Sequence, residues 1–277
     1  MAITNFIPTI WSENLLTSLD KQYIAVANCN RDYEGEIKNA GSVVKICGVG
    51  DIVVDNYTKD TDMSSPQALS DTVKELKIDQ AKFFNFQIDD VDKAQCTPKL
   101  MEAAMKSAAN AMANEADKHV YSLYNYAARN VPHDDLNDGK LLDTIIHARQ
   151  VLYENNVTDN SNVVFEVSPA VASVILKENL ALTNSSENFE NGYIGSIAGC
   201  KIYVSNNIVK DVDDFGNVNY KCIMRTKRAI AFAEQLSEID AYRPEKRFAD
   251  AVKGLHLYGA KVVYPSEMVL VDCCIPA

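Results

Sequence analysis

The sequence of 277 residues predicts an α+β protein that is completed by further copies of the same chain. A long segment between Asp32 and Asp92 is patterned as strands but has too few apolar residues for a core of its own. A single long helix follows it, and helices and strands alternate after residue 131. An isolated two-stranded ribbon buries too little surface to offset its ordering entropy, so this segment needs a second surface to lie on.

The first 31 residues are predicted to form an extended N-terminal arm. A short amphipathic stretch within the arm places Trp11, Leu15, Leu16 and Leu19 on one helical face. A short helix in an arm has no core of its own. We therefore expect its apolar face to contact a surface outside the arm.

Residues 42–57 and 76–89 are predicted to be the two arms of the strand ribbon. Apolar residues alternate with polar ones along both arms, at Val44, Ile46, Ile52, Val54, Leu76, Ile78, Phe84, Phe86 and Ile88. Residues 58–71 between the arms are rich in Asp, Ser and Thr, which is typical of a loop tip. Each arm reaches roughly 50 Å at about 3.3 Å per residue, which is longer than most domains can cover.

The helix predicted for residues 98–129 is the longest in the chain. Thr97 is its expected N-cap and Pro98 its first residue. One face is rich in alanine and is expected to be flat, with Leu100, Ala104, Ala108, Ala111, Met112, Val120 and Leu123 along it. A coiled coil is the ordinary alternative, but strict heptads are absent.

Residues 131–225 are predicted to form a compact α/β region. Helices are expected at 143–153 and 170–178, and strands at 163–167 and 201–205. Ser168 and Pro169 are a typical start for the second of these helices. From residue 226 onward, short strands predominate.

The charge of the chain is unevenly distributed. The formal net charge is −11, which excludes a sequence-reading nucleic-acid binder that relies on clustered Lys and Arg. Residues 32–95 carry 13 acids and 7 bases (net −6), whereas residues 221–261 carry 9 bases and 5 acids (net +4). An acidic arm and a basic strip suit head-to-tail contact between copies. No stretch approaches the length of apolar sequence that a membrane helix needs.

No pattern in the sequence predicts a catalytic, cofactor-binding or metal site. Gly48 and Gly50 lack the third glycine of a dinucleotide loop. Residues 211–216 have some features of a calcium loop, but Phe215 occupies a ligand position, so a polar turn is the simpler interpretation. The seven cysteines lack a CxxC pair and the four histidines are far apart. We therefore expect reduced, buried thiols and no cofactor.

Four segments resemble the major capsid proteins of tailed bacteriophages with the HK97 fold, in particular the coat proteins of phages of Gram-positive bacteria. They are NRDYEGEIKNAGSVVKI (30–46), IDQAKFFNFQIDDVDKAQ (78–95), NGYIGSIAGCKIYVSNN (191–207) and YRPEKRFADAVKGLHLYGAKVVYP (242–265). The order of arm, ribbon, long helix, α/β block and strand-rich return is also similar to that family. The likeness covers nearly the whole chain.

The resemblance implies five parts. They are an N-arm (1–31), an extended β-hairpin called the E-loop (32–95), a spine helix in a peripheral domain (96–130), an α/β axial domain (131–225) and peripheral strands with the C-terminus (226–277). It implies a non-enzymatic structural subunit that self-assembles in the host cytoplasm into the icosahedral head of the virion. Pentamers and hexamers would enclose double-stranded DNA without sequence-specific binding.

The resemblance also implies partners and contact residues. Portal and scaffolding proteins are expected partners, and the scaffold would be a separate protein because this chain starts directly with the arm. Contacts between subunits are expected at Trp11, Leu15, Lys45, Ile52, Val54, Lys59, Phe84, Phe86, Arg243, Lys246 and Arg247. Some relatives cross-link a loop lysine to a neighbour's asparagine. Lys59 is near the predicted tip, but no acceptor is evident, so a solvated lysine is the simpler interpretation.

The sequence leaves two alternatives open. An encapsulin-like nanocompartment has the same fold but holds protein cargo instead of a genome. A cytosolic enzyme would use the Asp and His side chains of residues 132–138. The two classes differ from a phage head in what purifies with the particle, or in whether a particle forms at all.

Overall fold

A computed structural model describes residues 22–33, 43–49, 71–89, 100–157, 162–178, 192–246 and 248–276, with a few single positions between 54 and 65. Within these residues the chain forms twelve β-strands and three α-helices. In chain order they are β1 (Val43–Val49), β2 (Asp71–Lys77), β3 (Gln80–Asp89), α1 (Leu100–Tyr121), β4 (Arg129–His133), α2 (Leu141–Glu154), β5 (Val163–Val167), α3 (Pro169–Lys177), β6 (Tyr193–Ile197), β7 (Cys200–Val204), β8 (Lys210–Val212), β9 (Val218–Thr226), β10 (Ile230–Tyr242), β11 (Ala249–Val262) and β12 (Met268–Ile275).

The strands form three sheets. Strands β1 and β2 pair as an antiparallel ribbon, and β10, β11 and β3 form a three-stranded sheet in that order. A seven-stranded sheet has the order β4-β12-β9-β5-β7-β6, with β8 paired to β9. The mixture of parallel and antiparallel pairs in this last sheet, with α2 and α3 alongside, confirms the predicted α+β class.

The ribbon differs from the prediction in its second arm. Its register pairs Val44 with Leu76, as an antiparallel hairpin requires. The second predicted arm, residues 76–89, divides after Lys77: β2 ends there, and β3 pairs with β11 of the same chain, Phe84 opposite Gly254. The prediction of one continuous arm was therefore wrong. The apolar alternation continues through both strands, so it could not reveal that the strands belong to different sheets.

The long helix also ends before its predicted boundary. Helix α1 covers Leu100–Tyr121 and continues as a 3-10 turn at Ser122–Tyr126, whereas the sequence predicts a helix to residue 129. Strand β4 then begins at Arg129. The buried face of α1 consists of Ala109, Met112, Ala113, Ala116, Asp117, Val120 and Tyr121. The buried face is rich in alanine, as predicted, but it lies at a different angle around the helix axis, because Ala111 of the predicted face is exposed.

The α/β region forms largely as predicted. Strand β5 is buried along its whole length, and α3 begins where Ser168 caps it by accepting a hydrogen bond from the backbone N–H of Val171 at 3.4 Å. The C-terminal strand β12 lies in this sheet, between β4 and β9. The family resemblance instead implies that β12 belongs with the peripheral strands of residues 226–277. The domain boundaries themselves stay a prediction.

Three clusters of buried apolar side chains hold these elements together. The first joins α1, residues 23–29 and the three-stranded sheet, and the second lies between the seven-stranded sheet and helices α2 and α3. The third is small and lies between the ribbon and the three-stranded sheet. No helix among the described residues is long and apolar enough to cross a membrane.

Candidate assembly surfaces and their anchoring

Residues 22–33, called here the anchor segment, are held by a buried arginine. Arg225 of β9 is completely buried and donates hydrogen bonds to the backbone carbonyls of Asn28 at 2.6 Å and Ala25 at 3.0 Å. The same guanidinium forms a two-pronged ion pair with Glu166 of β5, with distances of 3.0 and 3.1 Å. Burial raises the pKa of the Glu166 carboxyl, and the Arg225 charge opposes that shift. Arg225 therefore ties the anchor segment to the seven-stranded sheet.

A second buried carboxylate ties the anchor segment to helix α1. The two carboxylate oxygens of Asp117 accept hydrogen bonds from the backbone N–H groups of Ile24 at 3.0 Å and Val26 at 3.1 Å. Burial raises the pKa of Asp117 to about 7, although these N–H donors act in the opposite direction. An acidic residue in the middle of an alanine-rich face thus receives backbone donors that would otherwise be buried without partners.

A third carboxylate, Glu234 of β10, ties the segment to the three-stranded sheet. It accepts hydrogen bonds from the Tyr23 hydroxyl and from Arg31 at 2.6 Å, and its other contact is His256 of β11 at 2.8 Å. Burial alone would raise the pKa of Glu234, but the hydrogen bonds from His256 and Tyr23 and the nearby cationic groups hold it below its usual value. Burial, and then the Glu234 charge, raise the pKa of Tyr23. Asn30 completes the junction by pairing with β10 at Ala231.

Sequence reasoning missed this junction, although a signal was present. Glu166 is the single charged residue of strand β5, and Arg225 is the single charged residue in the apolar end of β9. A carboxylate and a guanidinium in two otherwise apolar strands are expected to pair, because a lone buried charge is strongly unfavourable.

The ribbon is supported at its root by its own subunit. Val44, Ile46, Leu76 and Ile78 are buried against four residues of the three-stranded sheet and its flank, namely Ala231, Ala233, Leu257 and Val263. Two lysines add polar ties: Lys74 donates to the carbonyl of Val263, and Lys261 donates to the carbonyl of Glu75 at 2.8 Å. The expectation that the ribbon finds no surface in its own chain is thus corrected for its root.

The outer face of the ribbon is exposed. Val43 and Val73 keep 44% and 47% of their surface exposed, and Lys45 on the same face is opposite Glu75. Farther along, Val54 is 90% exposed and Lys59 is exposed. Of these five exposed positions, Lys45, Val54 and Lys59 are predicted intersubunit contacts, and that contact stays a prediction.

The remaining predicted contact residues are distributed as follows. Arg243 and Lys246 are exposed in the turn after β10. Trp11, Leu15, Ile52 and Arg247 lie outside the described residues. For the exposed residues, contact with a neighbouring subunit stays a prediction.

Phe84 and Phe86, also predicted as intersubunit contacts, pack within their own subunit, and a contact with a neighbour stays a prediction. Both are half-buried, their rings stack with centroids 5.9 Å apart, and they pack against the first apolar cluster of their own subunit. The residue beside them, Phe83, points to the other face and is 79% exposed. Phe84 and Phe86 therefore serve the subunit core, and Phe83 is the aromatic residue of β3 that faces outward.

The residues considered for a metal site or an enzyme have structural partners in the described part of the chain. The described residues contain no group of three His, Cys, Asp or Glu side chains placed to hold a metal ion. In the calcium-like loop, Asp213 accepts hydrogen bonds at 2.9 Å from the backbone N–H groups of Phe215 and Asn217, which makes it a polar turn. His133, considered for an enzyme, is buried and bonded to Thr144 of α2 at 2.9 Å, so it supports the start of that helix.

No protein-family model and no curated protein sequence matches the chain. Solved structures of phage capsid proteins do match it along nearly its whole length. One, from Mycobacterium phage Che8, has 27% sequence identity and a TM-score of 0.68, and the match covers 90% of this chain and 91% of that chain. The chain is a phage capsid protein. A second match is the capsid structure of the cyanophage P-SCSP1u, with 13% identity, a TM-score of 0.70, and coverage of 92% of this chain and 89% of that one.

These similarities confirm the predicted HK97-like fold and the structural, non-enzymatic role of this capsid protein. They also support a homo-oligomeric shell and a location in the virion capsid. A virus-like particle from Pyrococcus furiosus matches with a lower TM-score of 0.54 and 10% identity, covering 97% of this chain and 100% of that one. The nanocompartment alternative therefore has weaker support than the phage head.

Proposed function

We propose that this capsid protein forms pentamers and hexamers in a closed icosahedral shell around double-stranded phage DNA, with the ribbon of each subunit lying across its neighbour. The observation that carries this proposal is the division of the ribbon into two parts. Its root is buried against its own subunit, while the outer face with Val43 and Val73 and the distal position Val54 are exposed. A long hairpin rooted in one body and exposed beyond it is suited to contact a second body.

The distribution of charge also supports contact between the ribbon of one subunit and the body of the next. Residues 32–95, which include the ribbon and also β3, carry a net charge of −6, and residues 221–261, in which Arg225 is buried, carry a net charge of +4. Arg243 and Lys246 of the second region are exposed, so the basic surface is available to the acidic hairpin of another copy. Electrostatic complementarity of this kind fixes the register of subunits and speeds their encounter.

Expression of the full chain followed by negative-stain electron microscopy and gel filtration tests the proposal. We expect closed shells that elute near the void volume. A chain that stays monomeric or forms only small oligomers at micromolar concentration, also when it is expressed with the other head genes of its phage, would contradict the proposal.

The DNA partner follows from the same charge distribution. We propose that the shell encloses DNA without sequence-specific binding, because a protein with a net charge of −11 has few clustered bases for phosphate contacts. Empty shells should release added duplex DNA at low salt, as measured by co-sedimentation. Tight retention of DNA would contradict the proposal that the inner surface of the shell has few basic clusters for phosphate contacts. Particles that purify with an enzyme instead of a genome would favour the nanocompartment.

Portal and scaffolding proteins complete the proposal. A shell of one repeated subunit needs a distinct vertex for DNA entry and a device that selects its diameter. Co-expression with candidate scaffolding proteins of the same phage tests the second requirement. We expect a scaffold to narrow the distribution of shell diameters, and an unchanged distribution would show that the capsid protein selects its size alone.

A further inference from the structure

The ribbon leaves the three-stranded sheet at a defined point beside Gly259. Strand β3 pairs with β11 from Asp89 opposite Ala249 to Gln80 opposite Tyr258. Continuation of that register would place Asp79 opposite Gly259, but there the chain departs and crosses the sheet as the end of β2. Gly259 is therefore directly beneath the joint between the ribbon and the body of the subunit.

The backbone at this joint occupies the space that a side chain of residue 259 would fill. A Cβ atom on Gly259 would overlap the carbonyl oxygen of Lys77 and would lie 3.0 Å from the Lys77 carbonyl carbon and 3.1 Å from the Ile78 Cα. All three are backbone atoms, so the overlap is relieved only when the ribbon root moves or the sheet bends. The absence of a side chain at residue 259 thus sets how closely the ribbon approaches the sheet.

The contacts around Gly259 depend on how closely the ribbon root approaches the sheet. The sheet face under the root carries the small residues Ala231 and Ala233 beside Leu257, and the ribbon places Leu76 and Ile78 against them. Lys261, two residues beyond Gly259, reaches the carbonyl of Glu75 on the ribbon at 2.8 Å. A shift of the root at Gly259 therefore also changes the apolar contact and the lysine tie.

We infer that Gly259 is a positioning residue for assembly, because it fixes the angle at which the ribbon projects from its own subunit. This inference rests on the proposed function, in which the ribbon contacts a neighbour. The seven residue pairs of β1 and β2 alone span roughly 23 Å at about 3.3 Å per residue, so a small change of angle at the root produces a larger displacement at the far end of the pairing. A single methyl group at residue 259 then misdirects the ribbon without touching any intersubunit surface.

The matched control is Gly254, five residues earlier on β11. A Cβ atom there would lie 2.6 Å from the Phe84 Cζ and 3.3 Å from the Phe84 Cδ1, so it displaces an aromatic ring and leaves the ribbon backbone in place. Gly254→Ala and Gly259→Ala thus both add a methyl group to the same strand. Only the second change acts on the ribbon joint.

The experiment measures ribbon direction and shell formation in the full chain. Spin labels at Val54 and Val212 report the distance between ribbon and body by pulsed electron resonance. We expect Gly259→Ala to shift the distance distribution and to lower the yield of closed shells by about tenfold or more. A tenfold change corresponds to a loss of about 1.4 kcal/mol in the free energy of subunit association. Gly254→Ala should keep the native distance distribution and form shells.

A second variant covers the case in which Gly259→Ala does not fold. Lys261→Met removes an exposed lysine tie without steric overlap, and we expect it to broaden the distance distribution while the melting temperature stays unchanged. An unchanged distribution in every folded variant, with shells of native yield and diameter, would overturn the inference and leave the proposed function intact. Failure of the native chain to form shells would instead contradict the proposed function.

Discussion

The anchor segment and the ribbon root both pack apolar side chains against the three-stranded sheet, but only the anchor segment is also held by buried charged groups. Arg225, Asp117 and Glu234 bind the anchor segment through buried, directional hydrogen bonds. Eight apolar side chains and two lysine–carbonyl bonds hold the ribbon root. Directional bonds between buried charges permit one geometry, whereas apolar contact on small residues depends only on how closely two surfaces approach.

This difference separates two tasks of a capsid subunit. The anchor segment joins α1, the seven-stranded sheet and the three-stranded sheet, so it fixes the shape of the body. The ribbon root carries the element that we propose contacts another subunit, and we infer that its direction is sensitive to a single methyl group at residue 259. Changes in the anchor should therefore affect subunit stability first, and changes in the ribbon should affect assembly first.

The largest expected effect is on the anchor. Arg225→Met leaves Glu166 buried without its cation and removes the guanidinium donors to the carbonyls of Asn28 and Ala25, although the Ala25 carbonyl keeps the backbone N–H of Asn28. We expect the free energy of unfolding to fall by about 3–5 kcal/mol, as for other buried pairs that lose one partner. Urea denaturation of the unassembled subunit measures this loss.

Arg228→Met is the control for that measurement. Arg228 also pairs with a carboxylate, Glu267, but 68% of its side chain is exposed. Glu267 is itself buried, but it keeps the hydrogen bond from the Thr226 hydroxyl, and water can reach the site that Arg228 vacates, so we expect a smaller loss than for Arg225→Met. Equal losses in the two arginine variants would show that burial of the Arg225 network has no special weight.

The second effect is a pH dependence that arises from Asp117. Burial raises its pKa from 3.8 to about 7, so the folded chain holds the Asp117 proton more tightly than the unfolded chain does. The resulting stabilisation is full below the unfolded value and is lost as the pH rises through the folded value. We expect the native chain to lose stability relative to Asp117→Asn between those two pKa values, on the order of a few kcal/mol.

Glu115 on the same helix provides a control of opposite sign. The hydrogen bond from Lys118 lowers the pKa of Glu115, so whatever Glu115 contributes is lost on acidification. Denaturation of the native chain, Asp117→Asn and Glu115→Gln over a pH series separates the two. If the native chain instead becomes more stable relative to Asp117→Asn as the pH rises, the two backbone N–H donors outweigh the effect of burial on the pKa of Asp117.

The third effect distinguishes the two faces of β3. Phe84→Ala removes a half-buried ring from the first apolar cluster, and we expect a loss of about 2 kcal/mol in the free energy of unfolding. Phe83→Ala changes an exposed side chain and should stay within about 0.5 kcal/mol of the native chain. If Phe83→Ala nevertheless reduces the yield of shells, its face of β3 is part of a subunit interface. Equal destabilisation by both variants would contradict the assignment of faces.

The same strand shows how far the sequence predicts the fold. Alternation of Phe84, Phe86 and Ile88 predicts a strand, and the structure contains it. The partner of that strand is not encoded locally, because the period of two is the same for a ribbon arm and for a sheet strand. The pairing with β11 depends on residues about 170 positions away, such as Gly254 opposite Phe84.

The candidate assembly surfaces were predicted to a similar extent. The exposed positions Lys45, Val54 and Lys59 follow from the hairpin pattern. The anchor junction follows only in part: Glu166 and Arg225 stand out as charges in apolar strands, but the backbone N–H groups of residues 24 and 26 that bind Asp117 carry no signature in the sequence. The role of Gly259 could not be predicted either, because it depends on the backbone of Lys77 and Ile78, which are distant in the sequence.

The smallest effect concerns the third tie of the anchor. Tyr23→Phe removes one hydroxyl donor from Glu234, but Arg31 and His256 still bind that carboxylate. We expect a loss of about 1 kcal/mol, the usual value of one hydrogen bond whose acceptor keeps other partners. Melting curves of the unassembled subunit measure this change, and shells should still form, since the ring of Tyr23 continues to pack against Phe232. A loss as large as that of Arg225→Met would mean that the three ties act as one cooperative network, and the anchor would then contrast even more strongly with the ribbon root.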